Sequence, residues 1–242
     1  MDGFGDLYGV TFDTIESALD DLRAGKFVVV LDHPGREGQG DLVASAAAVT
    51  PEMVNFMLSQ ARGSFIAVCM KEDQADRMQL PLLVPPVHNA ESQKTCFRLT
   101  CDTAFGTTGC SAAERAQTVN ILGGVIRHHS SDPNVRAVER ASNPMDLVRP
   151  GHVVPITAHP KGLAARNGHT EASCELMRLA GIRPAVAVDM QILSADGRVA
   201  DAFELREFAN RFDLKLISVP QLCEWLDVDQ TTAAPARVAA VS

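Results

Sequence analysis

The sequence has no hydrophobic run long enough to cross a bilayer. Its longest apolar stretches, 27–31 and 43–49, fall far short of the roughly 20 residues that a membrane-spanning helix needs. The N-terminus also lacks the cations and apolar stretch of a signal peptide, since Asp2 and Asp6 stand there. We therefore expect a soluble protein that is neither secreted nor bound to a membrane.

Basic residues are in deficit. The chain has 22 Lys and Arg against 30 Asp and Glu, a formal net charge of −8, and the acids are scattered. A nucleic-acid binder needs a stripe of cations against the phosphates, so no nucleic-acid partner is expected.

The six cysteines form no Cys-x-x-Cys pair. Their spacing argues against a zinc knuckle or redox pair and fits reduced thiols in the cytoplasm.

What the chain does contain is the composition of a folded domain. Its 242 residues are 46% hydrophobic and 21% charged, enough to bury a core without disulfides. Strand and helix patterns alternate with no low-complexity seam. They predict one compact α+β domain over 1–227, with a mixed sheet flanked by helices. The Thr, Ala, Pro and Val of 228–242 are typical of a disordered tail.

Caps and β-branched runs locate the predicted elements. Thr50 with Pro51, and the capping box from Ser111 to Glu114, mark two helix starts, and Asp13 is a candidate N-cap. The predicted helices cover 14–24, a segment from 51, 75–80, a segment from 112, 169–180, 204–212 and 220–227. The predicted strands cover 26–32, 64–70, 96–101, 153–157, 184–192 and 214–219. Segments 32–41 and 123–148 are predicted to be loops.

The loop 32–41 is the first segment that could carry chemistry. It places Arg36, Glu37 and Asp41 directly after a buried strand. Alternating carboxylates on such a loop suit a hard cation or proton transfer, although the same pattern fits a solvated turn. The loop's glycines do not match a dinucleotide fingerprint, and the chain has no Walker A lysine and no Gly-x-Ser-x-Gly motif.

Two Gly-His pairs and one small-residue loop are the other candidate segments. The stretches 149–152 and 166–171 each place an Arg before Gly-His, and the second opens a helix. This pattern suits an anionic group, although either histidine could be structural. Segment 105–111 could cradle phosphate or form only a tight, well-capped loop. Cys110 lies in it as a conceivable nucleophile, but the sequence identifies no base beside it.

These segments together resemble the 3,4-dihydroxy-2-butanone 4-phosphate synthase family of riboflavin biosynthesis. The resemblance runs over about 15–227 and includes Arg149-Pro-Gly-His152 and Gly168-His-Thr-Glu171. The other matching blocks are 28–32, 36–37, 40–42, 80–81, 107–109, 111–113 with 115, and 179–181. The family implies an α+β fold, a small-molecule substrate, magnesium, and a homodimer with active sites at the subunit interface. Its reaction enolises ribulose 5-phosphate, migrates a carbon unit and expels C4 as formate.

The resemblance assigns roles to particular residues of this chain. Glu37 and His169 match the metal ligands, for Mg²⁺ or Mn²⁺. His152 matches the catalytic histidine. The residues expected to contact the substrate or its phosphate are Arg36, Asp41, Arg166, Gly168, Thr170, Thr107 and Arg98. Asp189 matches a late catalytic glutamate, and Asp32 and Asp41 are expected to orient hydroxyl groups.

Several positions depart from the family's pattern around the expected pocket. The loop has Gln39 where the family has a glutamate, and Asp189 is one methylene shorter than its counterpart, which weakens proton transfer unless the substrate shifts. The segment 126–147 also looks longer than usual. The remaining departures are His33 for an acid, Gly38 for an asparagine, Ala67 for a cysteine and Arg98 for a threonine.

We therefore hypothesise a magnesium-dependent enzyme on this fold whose substrate is a hydroxy-ketone other than ribulose 5-phosphate. It would enolise that substrate and rearrange or cleave carbon–carbon bonds, with His152 and Asp189 moving protons. The first alternative is the riboflavin-pathway synthase itself, which requires Arg98 to point out of the pocket. The second is a non-catalytic protein that binds a phosphosugar or a partner protein.

Overall fold

A computed structural model describes residues 9–33, 38–126 and 140–228. Its strands are β1 (Val28–Leu31), β2 (Gly40–Ser45), β3 (Ile66–Met70), β4 (Cys96–Phe97), β5 (Cys101–Thr103), β6 (Val125–Ile126), β7 (Arg140–Ala141), β8 (Leu147–Thr157), β9 (Ala187–Gln191) and β10 (Lys215–Ser218). Its α-helices are α1 (Ile15–Arg23), α2 (Pro51–Phe56), α3 (Glu72–Arg77), α4 (Ala112–Leu122), α5 (His169–Leu179), α6 (Ala202–Arg211) and α7 (Val219–Trp225).

The predicted mixed sheet between helices is confirmed. Within the described ranges its strands follow the order β10-β1-β2-β9-β3-β8-β4, and β5 also pairs with β8. The pairs β1–β10 and β3–β8 are parallel, and the other pairs of this sheet are antiparallel. Strands β6 and β7 form a separate antiparallel ribbon.

The sheet is buried on both faces, which explains the continuous apolar run at 27–31. Val29 and Leu31 pack with residues of α2, α4 and α6, whereas Val28 and Val30 pack with α1, α5 and α7. This alternation follows from the two-residue period of a strand. A strand covered on both faces loses the polar alternation of an edge strand and reads as a hydrophobic run.

Several predicted elements have different bounds in the structure. The predicted loop 32–41 ends inside strand β2, so Asp41 is a strand residue held opposite Val30 and not on a flexible turn. The predicted strand 96–101 is split into β4 and β5, both of which pair with β8. Strand β8 begins at Leu147 and contains the whole Arg-Pro-Gly-His motif, which the prediction left before the strand.

The prediction that Asp13 caps the first helix is wrong. Thr14 is the N-cap, and its hydroxyl accepts a hydrogen bond from the backbone N–H of Ser17 at 3.2 Å. The Asp13 carboxylate instead accepts bonds from Arg206 (2.8 Å) and from the N–H of Leu216 (2.9 Å), which connects the chain before α1 to α6 and β10. A long-range partner here outweighs a local cap.

Two predictions fall partly outside the described residues. The predicted loop 123–148 includes β6, β7, a 3-10 turn at Pro144–Asp146 and the start of β8, and its residues 127–139 lie outside the described ranges. The predicted disordered tail 228–242 lies outside them except for Val228. No helix in the described part of the chain is long and apolar enough to cross a membrane.

Candidate active site

A pocket of about 270 Å³ opens on the α5 face of the sheet. Strands β2, β9 and β3 form its floor, and the start of α5 forms one wall. The predicted site residues that line it are Asp32, Asp41, Arg166, His169, Thr170 and Asp189. Residues from four separate segments therefore meet at one place, as the resemblance implies. Arg36 and Glu37 lie outside the described residues.

Asp189 is a buried acid of the pocket. On β9 it lies between Val43 of β2 and Ala67 of β3. The thiol of Cys69 donates a hydrogen bond to Asp189 Oδ2 at 3.0 Å. Burial raises the pKa of Asp189 above its ordinary value, while the Cys69 bond and the charge of His169 act in the opposite direction. A carboxyl group in this setting is suited to taking up a proton.

His169 is oriented for ligation by its own chain. Its Nε2 lies 3.1 Å from the carbonyl oxygen of Val30, which can only accept a hydrogen bond. In its neutral form the ring therefore carries its proton on Nε2 and its lone pair on Nδ1, which lies 3.6 Å from Asp41 Oδ2. An imidazole nitrogen fixed in this way, beside carboxylates, fits a divalent cation. Within the described ranges no group of three metal-ligating side chains is formed.

Arg166 is fixed at the start of α5. Its guanidinium donates to Glu171 Oε2 at 2.7 Å, to Thr95 Oγ1 at 2.9 Å and to the carbonyl oxygen of Gln93 at 3.3 Å. Gly168 is the N-cap and offers no side-chain acceptor. The first N–H groups of α5 and the side chain of Thr170 therefore lie beside a preoriented cation, an arrangement that favours an anionic group.

Two side-chain amides meet on another wall of the pocket. Gln191 donates a hydrogen bond from Nε2 to Oε1 of Gln39. The N–H of Gln39 also bonds to Asp32 Oδ1 at 2.9 Å. The sequence analysis missed Gln191, although the two-residue period of β9 places it on the same face as Asp189. These two amides are uncharged, whereas Asp32, Asp41 and Asp189 supply carboxylates to the pocket.

Arg98 does not reach the pocket, contrary to the expectation that it contacts the substrate. Its guanidinium donates to Asp76, Glu72 and the carbonyl oxygen of Leu80, each at 3.2 Å. Its Nε donates to Thr157 at 3.1 Å. Only 4% of the side chain is exposed. The bulky cation is thus neutralised outside the pocket, where two acids of α3 attract it.

His152 also lies outside the pocket of its own chain. Its Nδ1 is 2.7 Å from Asp102 Oδ2, and its Nε2 is 3.3 Å from the sulfur of Cys110. The side chain is 47% exposed. The nearby Thr107 is exposed as well, and both its N–H and its hydroxyl donate to Glu114. The sequence analysis missed Asp102, and nothing in the sequence pairs it with a residue 50 positions away.

Comparisons with known proteins give matches over most of the chain. The family model of 3,4-dihydroxy-2-butanone 4-phosphate synthase matches residues 16–225. A riboflavin biosynthesis protein RibBA from Synechocystis is 43% identical over 88% of this chain, and one from Aquifex aeolicus is 38% identical over 88%. The match covers 36% and 49% of those proteins, so the chain spans half or less of their length.

Solved structures give the same result. A 3,4-dihydroxy-2-butanone 4-phosphate synthase in complex with two magnesium ions superposes with a TM-score of 0.77 at 32% identity, covering 92% of this chain and 99% of that one. RibBX from A. baumannii, a two-domain synthase, gives a TM-score of 0.76 at 34% identity, with coverage of 88% and 57%. Fold and site thus define a mixed sheet with a polar pocket whose helix start favours an anionic group. The chain belongs to the 3,4-dihydroxy-2-butanone 4-phosphate synthase family.

Proposed function

We propose that the chain is a working synthase of this family, which converts ribulose 5-phosphate into 3,4-dihydroxy-2-butanone 4-phosphate and formate for riboflavin biosynthesis. The observation that carries the proposal is the direction of Arg98, whose charge is held by Glu72 and Asp76 away from the pocket. With Arg98 outside, the pocket keeps its acids, its histidine and its anion-binding helix start. The relatives named as riboflavin biosynthesis proteins favour this activity over a changed substrate.

In this mechanism the start of α5 binds the phosphate. Arg166, already oriented by Glu171, places positive charge beside the N–H groups that follow Gly168, and Thr170 adds a hydroxyl donor. Asp32 and Asp41 orient the sugar hydroxyls, as carboxylates accept hydrogen bonds from them. A phosphate held at one end fixes the reacting carbons against Asp189 and the histidines.

Glu37 and His169 would hold Mg²⁺ or Mn²⁺. The cation supplies a Lewis acid at the oxygens of the hydroxy-ketone. The carbonyl oxygen of Val30 selects the tautomer of His169 in which Nδ1 carries the lone pair, and the ion would bind this nitrogen. Asp189 takes up and returns a proton at the substrate carbon, because its buried carboxyl group has a raised pKa.

His152 is a second proton-transfer group, and it does not line the pocket of its own chain. Its exposed ring, held by Asp102, is presented outward from β8. We infer a homodimer in which His152 and the loop of Thr107 complete the pocket of the second copy. The active site would then lie at the interface, as the family resemblance implies.

A formate assay with ribulose 5-phosphate and Mg²⁺ tests the proposal. We expect metal-dependent release at about 1 per second or faster, and loss of formate in Glu37→Ala. The alternative hypothesis of a different hydroxy-ketone predicts no formate from a folded, metal-binding protein. In that case Gln39→Glu with Asp189→Glu, which restores the two family acids, is the next variant to assay.

A further inference from the structure

Cys110 is part of an arrangement of three side chains from separate segments of the chain. Its sulfur lies 3.3 Å from Nε2 of His152 on β8, and Nδ1 of that ring lies 2.7 Å from Asp102 on β5. Cys110 itself stands in the loop directly before Ser111, the N-cap of α4. The thiol lies within hydrogen-bond reach of the imidazole, and the imidazole within reach of the carboxylate. The three groups can therefore act as a nucleophile, its base and an acid that orients the base.

The backbone around this cluster holds the three groups together. The N–H of His152 donates to Asp102 Oδ1 at 2.9 Å, so the same carboxylate fixes both the backbone and the ring. Gly109 has a φ of +73°, and a Cβ there would collide with the Asp102 carboxylate. Only glycine lets the loop come this close, and that approach is what brings Cys110 against the ring.

The cluster can activate the thiol during an attack. Asp102 is 7% exposed and accepts from Nδ1, which selects the tautomer with its lone pair on Nε2. Nε2 can therefore accept the Cys110 proton as the sulfur bonds to an electrophile, and the thiolate is the reactive form of cysteine. Cys110 is exposed, so a small reagent can reach it.

The other cysteines of the chain are placed differently. Burial raises the pKa of Cys69 and Cys174, raises that of Cys101 to about 12 and that of Cys223 to about 11. Cys96 is partly exposed, and its sulfur contacts the carbonyl oxygen of Lys94 at 3.6 Å. Cys96 is thus the internal comparison for Cys110, since reagents can reach both sulfurs.

We propose that Cys110 is a selective modification site for low-molecular-weight disulfides, and that its modification switches off the synthase. In the reaction the sulfur of Cys110 attacks one sulfur of the disulfide reagent. The S–S bond of the reagent breaks, and a new S–S bond joins Cys110 to one half of it. The other half leaves as a thiol and receives the Cys110 proton through Nε2 of His152. The attached group then covers His152, so this switch depends on the function proposed above.

The first experiment measures modification and needs no catalytic activity. The full-length protein is treated with oxidised glutathione, and the mass added to each cysteine peptide is followed over time. We expect Cys110 to react at least about tenfold faster than Cys96, and His152→Gln to remove most of that advantage. His159→Gln, a change in a histidine outside the cluster, serves as the matched control. Equal rates at the two cysteines, or an unchanged Cys110 rate in His152→Gln, would overturn the proposal.

The second experiment measures the switch. Formate release is compared before and after glutathione treatment in the wild type and in Cys110→Ala, each against its own untreated rate. We expect loss in the wild type, recovery with a reducing thiol, and no loss in Cys110→Ala. A modified wild type that keeps its rate contradicts the switch. Absence of formate before any treatment contradicts the proposed function instead, and the labelling experiment still decides whether Cys110 is the modification site.

Discussion

The pocket and the His152 cluster are built in opposite ways. In the pocket, Arg166 and Asp189 are bonded to groups of the same chain and largely buried. In the cluster, Asp102 is buried but His152 and Cys110 are exposed at the surface. The pocket thus holds binding groups and several carboxylates, whereas the cluster presents a base outward. The pocket lacks the exposed base, and the cluster lacks the binding groups. This is the arrangement expected when two copies share an active site.

The largest expected effect comes from disabling the pocket in one chain and the His152 cluster in the other. We expect Asp189→Asn and His152→Gln each to lower formate release about 10³-fold, because each removes a proton-transfer group. When the two variants are mixed under conditions that exchange subunits, half of the dimers are mixed and carry one intact site. Activity should then recover to about a quarter of the wild-type rate.

The matched control is a mixture of His152→Gln with the double variant Asp189→Asn/His152→Gln. This mixture contains no His152 in either chain and should stay inactive. If the first mixture also stays inactive although mixed dimers form, His152 and Asp189 act within one chain, and the shared site is wrong.

Arg98 lies in neither the pocket nor the His152 cluster. Arg98→Ala removes four hydrogen bonds of a buried guanidinium and leaves Thr157 and the Leu80 carbonyl without this donor. We expect the free energy of unfolding to fall by about 2–3 kcal/mol in urea denaturation. The KM for ribulose 5-phosphate should change less than about twofold in the folded variant. A large rise in KM with unchanged stability would place Arg98 in substrate binding after all.

Local sequence signals predicted much of this molecule, and long-range contacts account for what they missed. The capping box of Ser111 and Glu114 and the Thr50 cap are both present as predicted. Strand β2 was missed because its polar, glycine-rich entry reads as a loop. The direction of Arg98 depends on Glu72 and Asp76 of α3, and the role of Asp102 depends on a strand pairing across 50 residues. Such contacts leave no periodic pattern in a single sequence.

The buried charge of Asp189 should lower the free energy of unfolding at neutral pH, although the proposed reaction needs this residue. Because burial raises its pKa above 3.8, its stabilising contribution is complete below that pH and is lost as the pH rises through the folded pKa. At pH 7.5 the variant Asp189→Asn should therefore unfold with about 1 kcal/mol more free energy than the wild type, measured in urea without metal. The gain should shrink at pH 4.5. A variant less stable than the wild type at both values would contradict the buried charge.

The smallest expected effect concerns the hydrogen bond from Cys69 to Asp189. Burial and the neighbouring carboxylate raise the pKa of Cys69, so its thiol stays protonated and acts as a donor. Cys69→Ala removes a bond that lowers the pKa of Asp189, and the acid limb of the formate pH profile should move to higher pH. Cys69→Ser keeps a donor and should leave that limb near its wild-type position. If both variants move the limb equally, the change reflects altered packing at β3, and Asp189 is then set by burial and His169 alone.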